Sequence, residues 1–176
     1  MSDMAAHPDS GPPRAGSKAA VLTVSDGVHA GEREDASGDA LEELLRGEGF
    51  DVLRRVVPDE LQTIADAIDE LASEALLILT TGGTGFAPRD VTPEATLTVL
   101  DREAPGIAEA IRADAFVRTP HALLSRGVAG LRGETLVVNL PGSPGGCRDG
   151  FGVIRPALRH GLELAAGGKT TAHRQT

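Results

Sequence analysis

The sequence predicts a three-layer α/β/α protein, in which helices cover both faces of a mostly parallel sheet and a small β-hairpin completes it. Over residues 18–80, apolar runs of strand length alternate with segments whose apolar residues recur at helical spacing, in the order βαβαβ. That order favours right-handed crossovers and parallel strands. Aromatic residues make up only 2% of the chain, so its core must consist of Leu, Ile, Val and Ala. Such small side chains are typical of helices packed closely on a sheet.

The length and composition predict one folded domain between two polar tails. The chain has 176 residues, of which 40% are hydrophobic and 24% charged, close to the averages of globular domains. Residues 1–17 are rich in Pro, Gly, Ser, Ala and Asp without periodicity, which predicts a disordered N-terminal tail. We expect the domain to span residues 18–167 and residues 168–176 to form a frayed C-terminal tail.

The charge and cysteine content exclude several classes of partner and location. A net charge of −9 without a basic cluster argues against nucleic acid, because phosphate contacts need grouped Lys and Arg. A phosphorylated small molecule stays compatible, since a divalent cation can neutralise it beside carboxylates. The single cysteine, Cys147, rules out an intrachain disulfide and fits a reducing compartment. No segment resembles a membrane span or a signal peptide, so we expect a cytoplasmic protein with no membrane partner.

The first half of the chain supplies two strands and two helices. Strands are predicted over residues 18–24 and 50–57, and leucines at helical spacing predict a helix over 39–46, which Asp35 or Ser37 would cap.

A second helix is expected after Pro58. Asp59 is its predicted N-cap residue, and Gln62 is the predicted partner in a capping box.

Residues 76–96 have the layout of an anion site at the carboxyl end of a sheet. An apolar strand runs into the loop Thr81-Gly82-Gly83-Thr84-Gly85, the pair Arg89-Asp90 follows, and Thr92-Pro93-Glu94 predicts a helix with Thr92 as N-cap. Glycine amides and a helix N-terminus can bind a phosphate. The alternative is a tight turn between strand and helix with no ligand.

The second half of the chain is expected to supply two helices and the hairpin. A helix is predicted over residues 105–116, and strands over 125–131 and 135–139 would form the hairpin around Arg132-Gly133. A C-terminal helix follows, which Pro156 either starts or kinks.

Two aspartates are candidate catalytic or metal-binding residues. Asp59 and Asp90 each follow a strand of the predicted parallel sheet, so both carboxylates should reach the same edge. There they can hold Mg²⁺ against phosphate oxygens or position a nucleophile. Each has a structural alternative: Asp59 would cap its own helix, and Asp90 would stabilise a helix start through the helix dipole.

Two other strand ends carry polar turns. Ser25-Asp26 follows the first strand, and Leu140-Pro141-Gly142-Ser143-Pro144 is a rigid turn that either presents Ser143 or is rigid without a function. Cys147 is expected to be a buried structural thiol, because no His-Asp or His-Asn arrangement accompanies it. The five histidines show no spacing typical of metal ligands.

These motifs together carry a family resemblance. The chain resembles the Mog/MoaB family of molybdenum cofactor biosynthesis, which includes the G domains of gephyrin and its plant counterpart. The similar segments occur in family order along nearly the whole chain after the tail. They are Val24-Ser25-Asp26, Asp35-x-Ser37-Gly38, Pro58-Asp59-Glu60, Thr80 to Gly85, Arg89 to Thr96, Asp101-Arg102-Glu103, Leu124-Ser125-Arg126 and Asn139 to Ser143.

The resemblance implies a molybdopterin-binding fold, a homotrimer and an activity. That activity is the Mg²⁺-dependent transfer of AMP from ATP to molybdopterin, which releases pyrophosphate and gives a product for a molybdate-insertion enzyme. Asp59 and Asp90 would be the essential acids, with Asp90 as a metal ligand. The implied substrate- and nucleotide-binding residues are Ser25, Asp26, Thr81, Gly82, Gly83, Thr84, Gly85, Ser125, Pro141, Gly142 and Ser143. The glycine loop would hold nucleotide phosphate and adenylate, Ser125 would lie toward the pterin, and the Pro-Gly-Ser turn would line the same cleft.

The chain departs from the family at one place. Relatives often have a Lys shortly after the Pro-Gly-Ser turn, where this chain has Pro144-Gly145-Gly146. An anion contact there has to come from Arg148 or from backbone amides. Two other functions remain open on sequence grounds: a protein that holds molybdopterin without catalysis, and a nucleotide hydrolase on a related fold.

Overall fold

A six-stranded sheet runs through the centre of the protein in the order β2-β1-β3-β6-β5-β4. The computed structural model describes residues 16–167, so the predicted tails lie outside the described residues, apart from residues 16 and 17. The strands are β1 (Lys18–Val24), β2 (Asp51–Val57), β3 (Leu77–Thr81), β4 (Arg102–Glu103), β5 (Ala129–Arg132) and β6 (Thr135–Leu140). The helices are α1 (Asp26–His29), α2 (Ala36–Gly47), α3 (Leu61–Ala72), α4 (Thr92–Val99), α5 (Pro105–Arg118) and α6 (Pro144–Ala165), with a 3-10 helix over Pro120–Leu124.

The strand directions bring four loops to one edge of the sheet. Strands β2, β1, β3 and β6 are parallel, whereas β5 and β4 are antiparallel to their neighbours. Val24 pairs with Val57, and Thr81 pairs with both Thr23 and Leu140, so the carboxyl ends of the four parallel strands are level. The segments that follow them therefore meet at this carboxyl edge, as the sequence predicted.

Helices cover both faces of the sheet, which confirms the predicted α/β fold. Alternate residues of β1 point to opposite faces: Val21 belongs to the core under α2, α5 and α6, and Leu22 to the core under α3 and α4. The largest buried side chain is Phe151 of α6, while the remaining core is almost wholly aliphatic. Within residues 16–167, no helix combines the length and the apolar character needed to cross a membrane.

Several element boundaries differ from the predictions. The hairpin is present, but β5 begins at Ala129 rather than at residue 125, because the amide of Val128 donates to the side chain of Asn139. The last helix begins at Pro144, well before Phe151, and Pro156 lies inside it. The short elements α1, β4 and the 3-10 helix have no periodic signal in the sequence and were not predicted.

Candidate active site

The loops after β1 and β2 are joined at the carboxyl edge by a reciprocal pair of hydrogen bonds. The amide of Asp26 donates to Oδ2 of Asp59 at 2.8 Å, and the amide of Asp59 donates to Oδ1 of Asp26 at 3.0 Å. The amide of Ser25 also donates to the carbonyl of Val57 at 3.0 Å. These bonds fix both carboxylates relative to the sheet.

Asp59 is not a helix cap, and that prediction was wrong. The N-cap residue of α3 is Glu60, which makes no side-chain capping bond, and Gln62 donates to Asp66 instead of completing a capping box. The carboxylate of Asp59 accepts from the neighbouring loop rather than from its own helix. The structural alternative for Asp59 is thereby removed.

Arg89 ties the segment after the glycine loop to Asp26, the first residue of α1. Its Nε donates to Oδ2 of Asp26 at 2.5 Å and one terminal nitrogen donates to Oδ1 at 3.0 Å, a two-point contact with the carboxylate. The hydrogen bond from Arg89 lowers the pKa of Asp26, and the bond from the amide of Asp59 lowers it further. Asp26 is therefore ionised at neutral pH and engaged within the protein.

The three acids of this edge interact electrostatically. Burial raises the pKa of Asp59, and the charges of Asp26 and Asp90 raise it further. Asp26 and Asp90 therefore lie near enough to Asp59 for their charges to disfavour its ionised form. A cluster of this kind attracts a cation.

We expect Asp59→Asn to raise thermal stability at neutral pH. Because the pKa of Asp59 is higher in the folded than in the unfolded state, its ionised form penalises folding above the folded pKa, and the penalty disappears below the ordinary value of 3.8. The variant should melt about 1–2 °C higher at pH 7, a small shift because solvent screens the side chain. Asparagine keeps an oxygen acceptor for the amide of Asp26.

Thermal unfolding of both proteins in EDTA, from pH 7 down to pH 4, measures this difference without a bound cation. The gap should shrink toward zero as the pH falls. A gap of constant size would show that the pKa of Asp59 does not differ between the folded and unfolded states.

The glycine loop needs glycine at two consecutive positions. Gly82 and Gly83 have φ of +94° and +63°, which side-chain-bearing residues rarely adopt. A Cβ at Gly82 would lie 2.2 Å from the carbonyl oxygen of Val24, and one at Gly83 would lie 2.3 Å from Oγ1 of Thr92. The backbone of Val24 and the side chain of Thr92 therefore approach the loop too closely for any residue other than glycine at these two positions.

Thr92 holds this loop instead of capping α4, so its predicted N-cap role was wrong. The N-cap residue is Val91, and the hydroxyl of Thr92 donates to the carbonyl of Gly82 at 2.9 Å. The amide of Thr92 donates to the carbonyl of Gly83 at 3.1 Å. Two bonds from the first turn of α4 therefore set the shape of the loop.

Arg126 joins the glycine loop to Asp90, a role that the sequence did not reveal. Its Nε donates to the carbonyl of Gly85 at 2.8 Å, one terminal nitrogen donates to the carbonyl of Asp90 at 2.5 Å, and the other pairs with Glu94. Its amide donates to the carbonyl of Thr84 at 2.9 Å. All three guanidinium nitrogens are thus engaged by the segment that carries Asp90.

The carboxylate of Asp90 is placed by a local turn. Its Oδ2 accepts from the amide of Ala87 at 2.9 Å, and a Cβ at Gly85 would lie 2.8 Å from the same oxygen. Asp90 therefore sits directly beside the glycine loop, on the side of the cleft that carries Asp59.

The Pro-Gly-Ser turn after β6 packs against the glycine loop. The hydroxyl of Thr81 donates to the carbonyl of Pro141 at 2.8 Å, and a Cβ at Gly142 would lie 3.3 Å from the Cα of Gly82. Ser143 is the N-cap residue of α6, and its Oγ accepts from the amide of Gly146 at 3.1 Å. The turn is therefore held against the glycine loop, and the hydroxyl of Ser143 caps α6.

Cys147 is a buried structural thiol, as expected. Its Sγ donates to the carbonyl of Pro141 and lies 3.3 Å from Oγ1 of Thr81, beneath the turn. Burial raises the pKa of this thiol to about 11. A thiol with that pKa is not a nucleophile at neutral pH.

Ser125 lies beside Arg126, in the segment that leads into β5. Its Oγ accepts from the amide of Gly127 at 3.4 Å, and the amide of Arg126 attaches this segment to the glycine loop at Thr84.

The buried amide of Asn139 donates to the hydroxyls of Thr80 and Thr96 at 3.0 Å each, so β6, β3 and α4 are held together behind the cleft. The structure thus brings all the predicted site segments to one edge.

The acids of the cleft fit a Mg²⁺ ion that also binds a substrate. Among residues 16–167, no group of three or more His, Cys, Asp or Glu side chains is arranged as a metal cage. Mg²⁺ with nucleotides commonly takes one or two carboxylates, with phosphate oxygens and water completing the shell. Asp59 and Asp90 supply that number.

Taken together, the fold and the cleft define a class of protein: an α/β protein with a glycine loop and clustered acids at the carboxyl edge of its sheet, an arrangement typical of proteins that bind phosphorylated small molecules. Residues 20–160 match the family model described as "Probable molybdopterin binding domain". The chain belongs to this family.

Individual relatives agree with that assignment. The chain is 43% identical over 131 residues to the molybdopterin adenylyltransferase of Escherichia coli K12, covering 70% of this chain and 66% of that protein. It is 38% identical to the Helicobacter pylori J99 protein of the same name, covering 84% and 86%. It is 42% identical to Dictyostelium discoideum gephyrin, covering 82% of this chain and 22% of gephyrin. The chain thus spans less than two thirds of the length of gephyrin and of the E. coli protein.

Solved structures of related proteins share the fold. The molybdopterin biosynthesis enzyme MoaB from Thermus thermophilus is 49% identical, with a TM-score of 0.80 over 85% of this chain and 96% of that one. The molybdopterin biosynthesis Mog protein from Mycobacterium ulcerans is 40% identical, with a TM-score of 0.81 over 85% and 99%. The predicted family resemblance is confirmed.

Proposed function

We propose that the protein is a molybdopterin adenylyltransferase of molybdenum cofactor biosynthesis. It transfers AMP from ATP to molybdopterin and releases pyrophosphate. The observation that carries this proposal is the placement of Asp59 and Asp90 beside the glycine loop at one edge of the sheet. The identity of 38–43% to molybdopterin adenylyltransferases supports it.

The geometry of the cleft suits an in-line transfer. An oxygen of the terminal phosphate of molybdopterin attacks the α-phosphorus of ATP, and the bond to the β-phosphate oxygen breaks, so pyrophosphate leaves. The loop of residues 81–85, fixed by Thr92 and Arg126, presents its backbone to the phosphates. Asp59 and Asp90 would hold Mg²⁺, which when bound neutralises charge on the leaving group. The residues themselves orient the two substrates.

The pterin side of the proposed cleft is formed by later segments of the chain. The turn Pro141-Gly142-Ser143 packs against the glycine loop, and the segment of Ser125 is attached to the same loop through the amide of Arg126. In place of the missing lysine, the start of α6 offers the N-terminus of a 22-residue helix, and Arg148 is exposed in its second turn. We propose that these groups contact the molybdopterin phosphate.

Incubation with molybdopterin, ATP and Mg²⁺ tests the proposal. We expect stoichiometric adenylyl-molybdopterin and pyrophosphate, with no product when either substrate is omitted. Molybdopterin that binds but is never adenylylated would indicate a holding protein without catalysis, and pyrophosphate released without pterin would indicate a nucleotide hydrolase. Either result would overturn the proposed activity.

We also propose that the domain of residues 18–167 acts as a homotrimer in the cytoplasm and passes its product to a molybdate-insertion enzyme. An exposed apolar patch on the adjoining ends of α5 and the 3-10 helix, formed by Phe116, Val117, Leu123 and Leu124, supports self-association. Size-exclusion chromatography with light scattering should give three times the mass of one chain.

A further inference from the structure

Arg54 links the edge strand β2 to the first half of α2. One of its terminal nitrogens pairs with Asp35 at 2.5 Å, and the other pairs with Glu42 at 2.6 Å and with Asp39 at 3.1 Å. Only 24% of the Arg54 side chain is exposed, so solvent screens these contacts less than it screens an ordinary surface ion pair. Because both terminal nitrogens have carboxylate partners, the guanidinium holds a fixed position against α2.

Asp35 is the partner of Arg54 that connects this cluster to the centre of the sheet. It is the N-cap residue of α2, and its Oδ1 accepts from the amide of Gly38 at 3.0 Å. Its Oδ2 accepts from the hydroxyl of Thr23 at 2.7 Å as well as from Arg54. A Cβ at Gly38 would collide with Asp35 and with the guanidinium of Arg54, so the glycine makes room for this ion pair.

The start of α2 lies beside the start of α6, on the pterin side of the proposed cleft. Thr23 pairs with Thr81, whose hydroxyl donates to the carbonyl of Pro141 in the Pro-Gly-Ser turn. Burial raises the pKa of Cys147 beneath that turn, and the charge of Asp35 raises it further. Asp35 is therefore close enough to the base of the turn for its charge to act there.

Arg55, the next residue of β2, makes a simpler contact. It pairs with Glu70 of α3, and both side chains are exposed. Because successive strand residues point to opposite faces of the sheet, Arg55 lies on the face away from α2. The chain thus carries two adjacent arginines with the same charge, of which only Arg54 is joined to the start of α2.

We propose that Arg54 is a positioning residue for the pterin side of the cleft: it holds Asp35, and through Asp35 it fixes the start of α2 beside the Pro-Gly-Ser turn. The inference rests on the proposed function, because it concerns the binding of molybdopterin. A shift of about 1 Å in a substrate-positioning group can change the use of that substrate by up to about a hundredfold.

Isothermal titration of Arg54→Lys with molybdopterin, in the absence of ATP, tests this role. Lysine keeps the positive charge, but a point charge on a flexible stem cannot hold three carboxylates in one geometry. We expect the Kd for molybdopterin to rise about fivefold or more, while the Kd for ATP changes less than about twofold. Arg55→Lys is the matched control, and it should bind both substrates like the wild type.

A double-mutant cycle tests whether Arg54 acts through Asp35. Asp35→Asn removes the charge that the guanidinium holds and should itself weaken the binding of molybdopterin. If Arg54 acts through Asp35, the double variant should bind molybdopterin no more weakly than Asp35→Asn alone. A purely structural role would give no such selectivity, because a loosened fold weakens the binding of both substrates.

Three results would overturn the role of Arg54. They are an unchanged Kd for molybdopterin in Arg54→Lys, equal losses for molybdopterin and ATP, and additive losses in the double variant. If Arg54→Lys binds molybdopterin selectively more weakly but no variant forms adenylyl-molybdopterin, the role of Arg54 stands and the proposed activity fails. If the wild type does not bind molybdopterin, both proposals fail.

Discussion

Replacing Asp90 by asparagine is expected to lower the rate of adenylyl-molybdopterin formation by about a hundredfold or more while the fold is retained. The amide oxygen of asparagine can still accept from the amide of Ala87, and the backbone carbonyl of residue 90 can still accept from Arg126. The substitution therefore removes the negative charge and little else. The loss should appear in both kcat and kcat/KM, because the charge acts where the transferred phosphate reacts.

The control is Asp51→Asn, an exposed carboxylate at the start of β2, at the opposite edge of the sheet. It loses the same charge from the protein and should keep the wild-type rate. Equal melting temperatures of Asp90→Asn and the wild type would exclude unfolding as the cause. Product formation by Asp90→Asn at the wild-type rate would show that Asp90 has no role in the reaction.

The parts of the site that depend on the alternation of strands and helices were predictable from the sequence. Apolar runs and helical spacing gave the parallel strands, and parallel strands place their carboxyl ends together. The meeting of Asp26, Asp59 and the glycine loop at one edge follows from that topology alone. It did not require knowledge of any side-chain contact.

The partners of individual side chains were not predictable in the same way. Local capping rules assigned Asp59 and Thr92 to the starts of α3 and α4, yet Asp59 accepts from the amide of Asp26, 33 residues away, and Thr92 donates to Gly82. A capping rule considers only neighbouring residues, whereas a loop at a crowded sheet edge has donors and acceptors from several strands within reach. At the starts of α3 and α4, Asp59 and Thr92 therefore make long-range hydrogen bonds in place of the local capping bonds.

The partners of Arg126 were also not predictable from the sequence. The sequence placed it in a short motif next to Ser125, with no periodicity or spacing to mark its partners. Those partners are backbone carbonyls at Gly85 and Asp90, about 40 residues earlier in the chain. Backbone acceptors leave no trace in a sequence, so the fold alone reveals this contact.

Replacing Arg126 by lysine is expected to lower kcat/KM for ATP by about ten- to a hundredfold, the second largest effect among the changes considered. The planar guanidinium bonds Gly85, Asp90 and Glu94 at once, whereas a lysine ammonium is a point charge on a flexible stem. The amide of residue 126 still donates to Thr84, so the segment stays attached while the loop loosens. Arg126 would thus act as a positioning residue for the loop and for Asp90.

The matched control is Arg112→Lys, because Arg112 donates to the carbonyl of Gly127 at 2.7 Å, close to the same segment but not to the glycine loop. Both variants should lose some thermal stability, since each loses a charged hydrogen bond to a carbonyl. Only Arg126→Lys should weaken the use of ATP more than the use of molybdopterin, because its partners lie on the nucleotide side of the cleft. An equal loss of activity in the two variants would mean that Arg126 supports the fold in general. A selective loss would show that one guanidinium sets the geometry of the loop on which the proposed transfer depends.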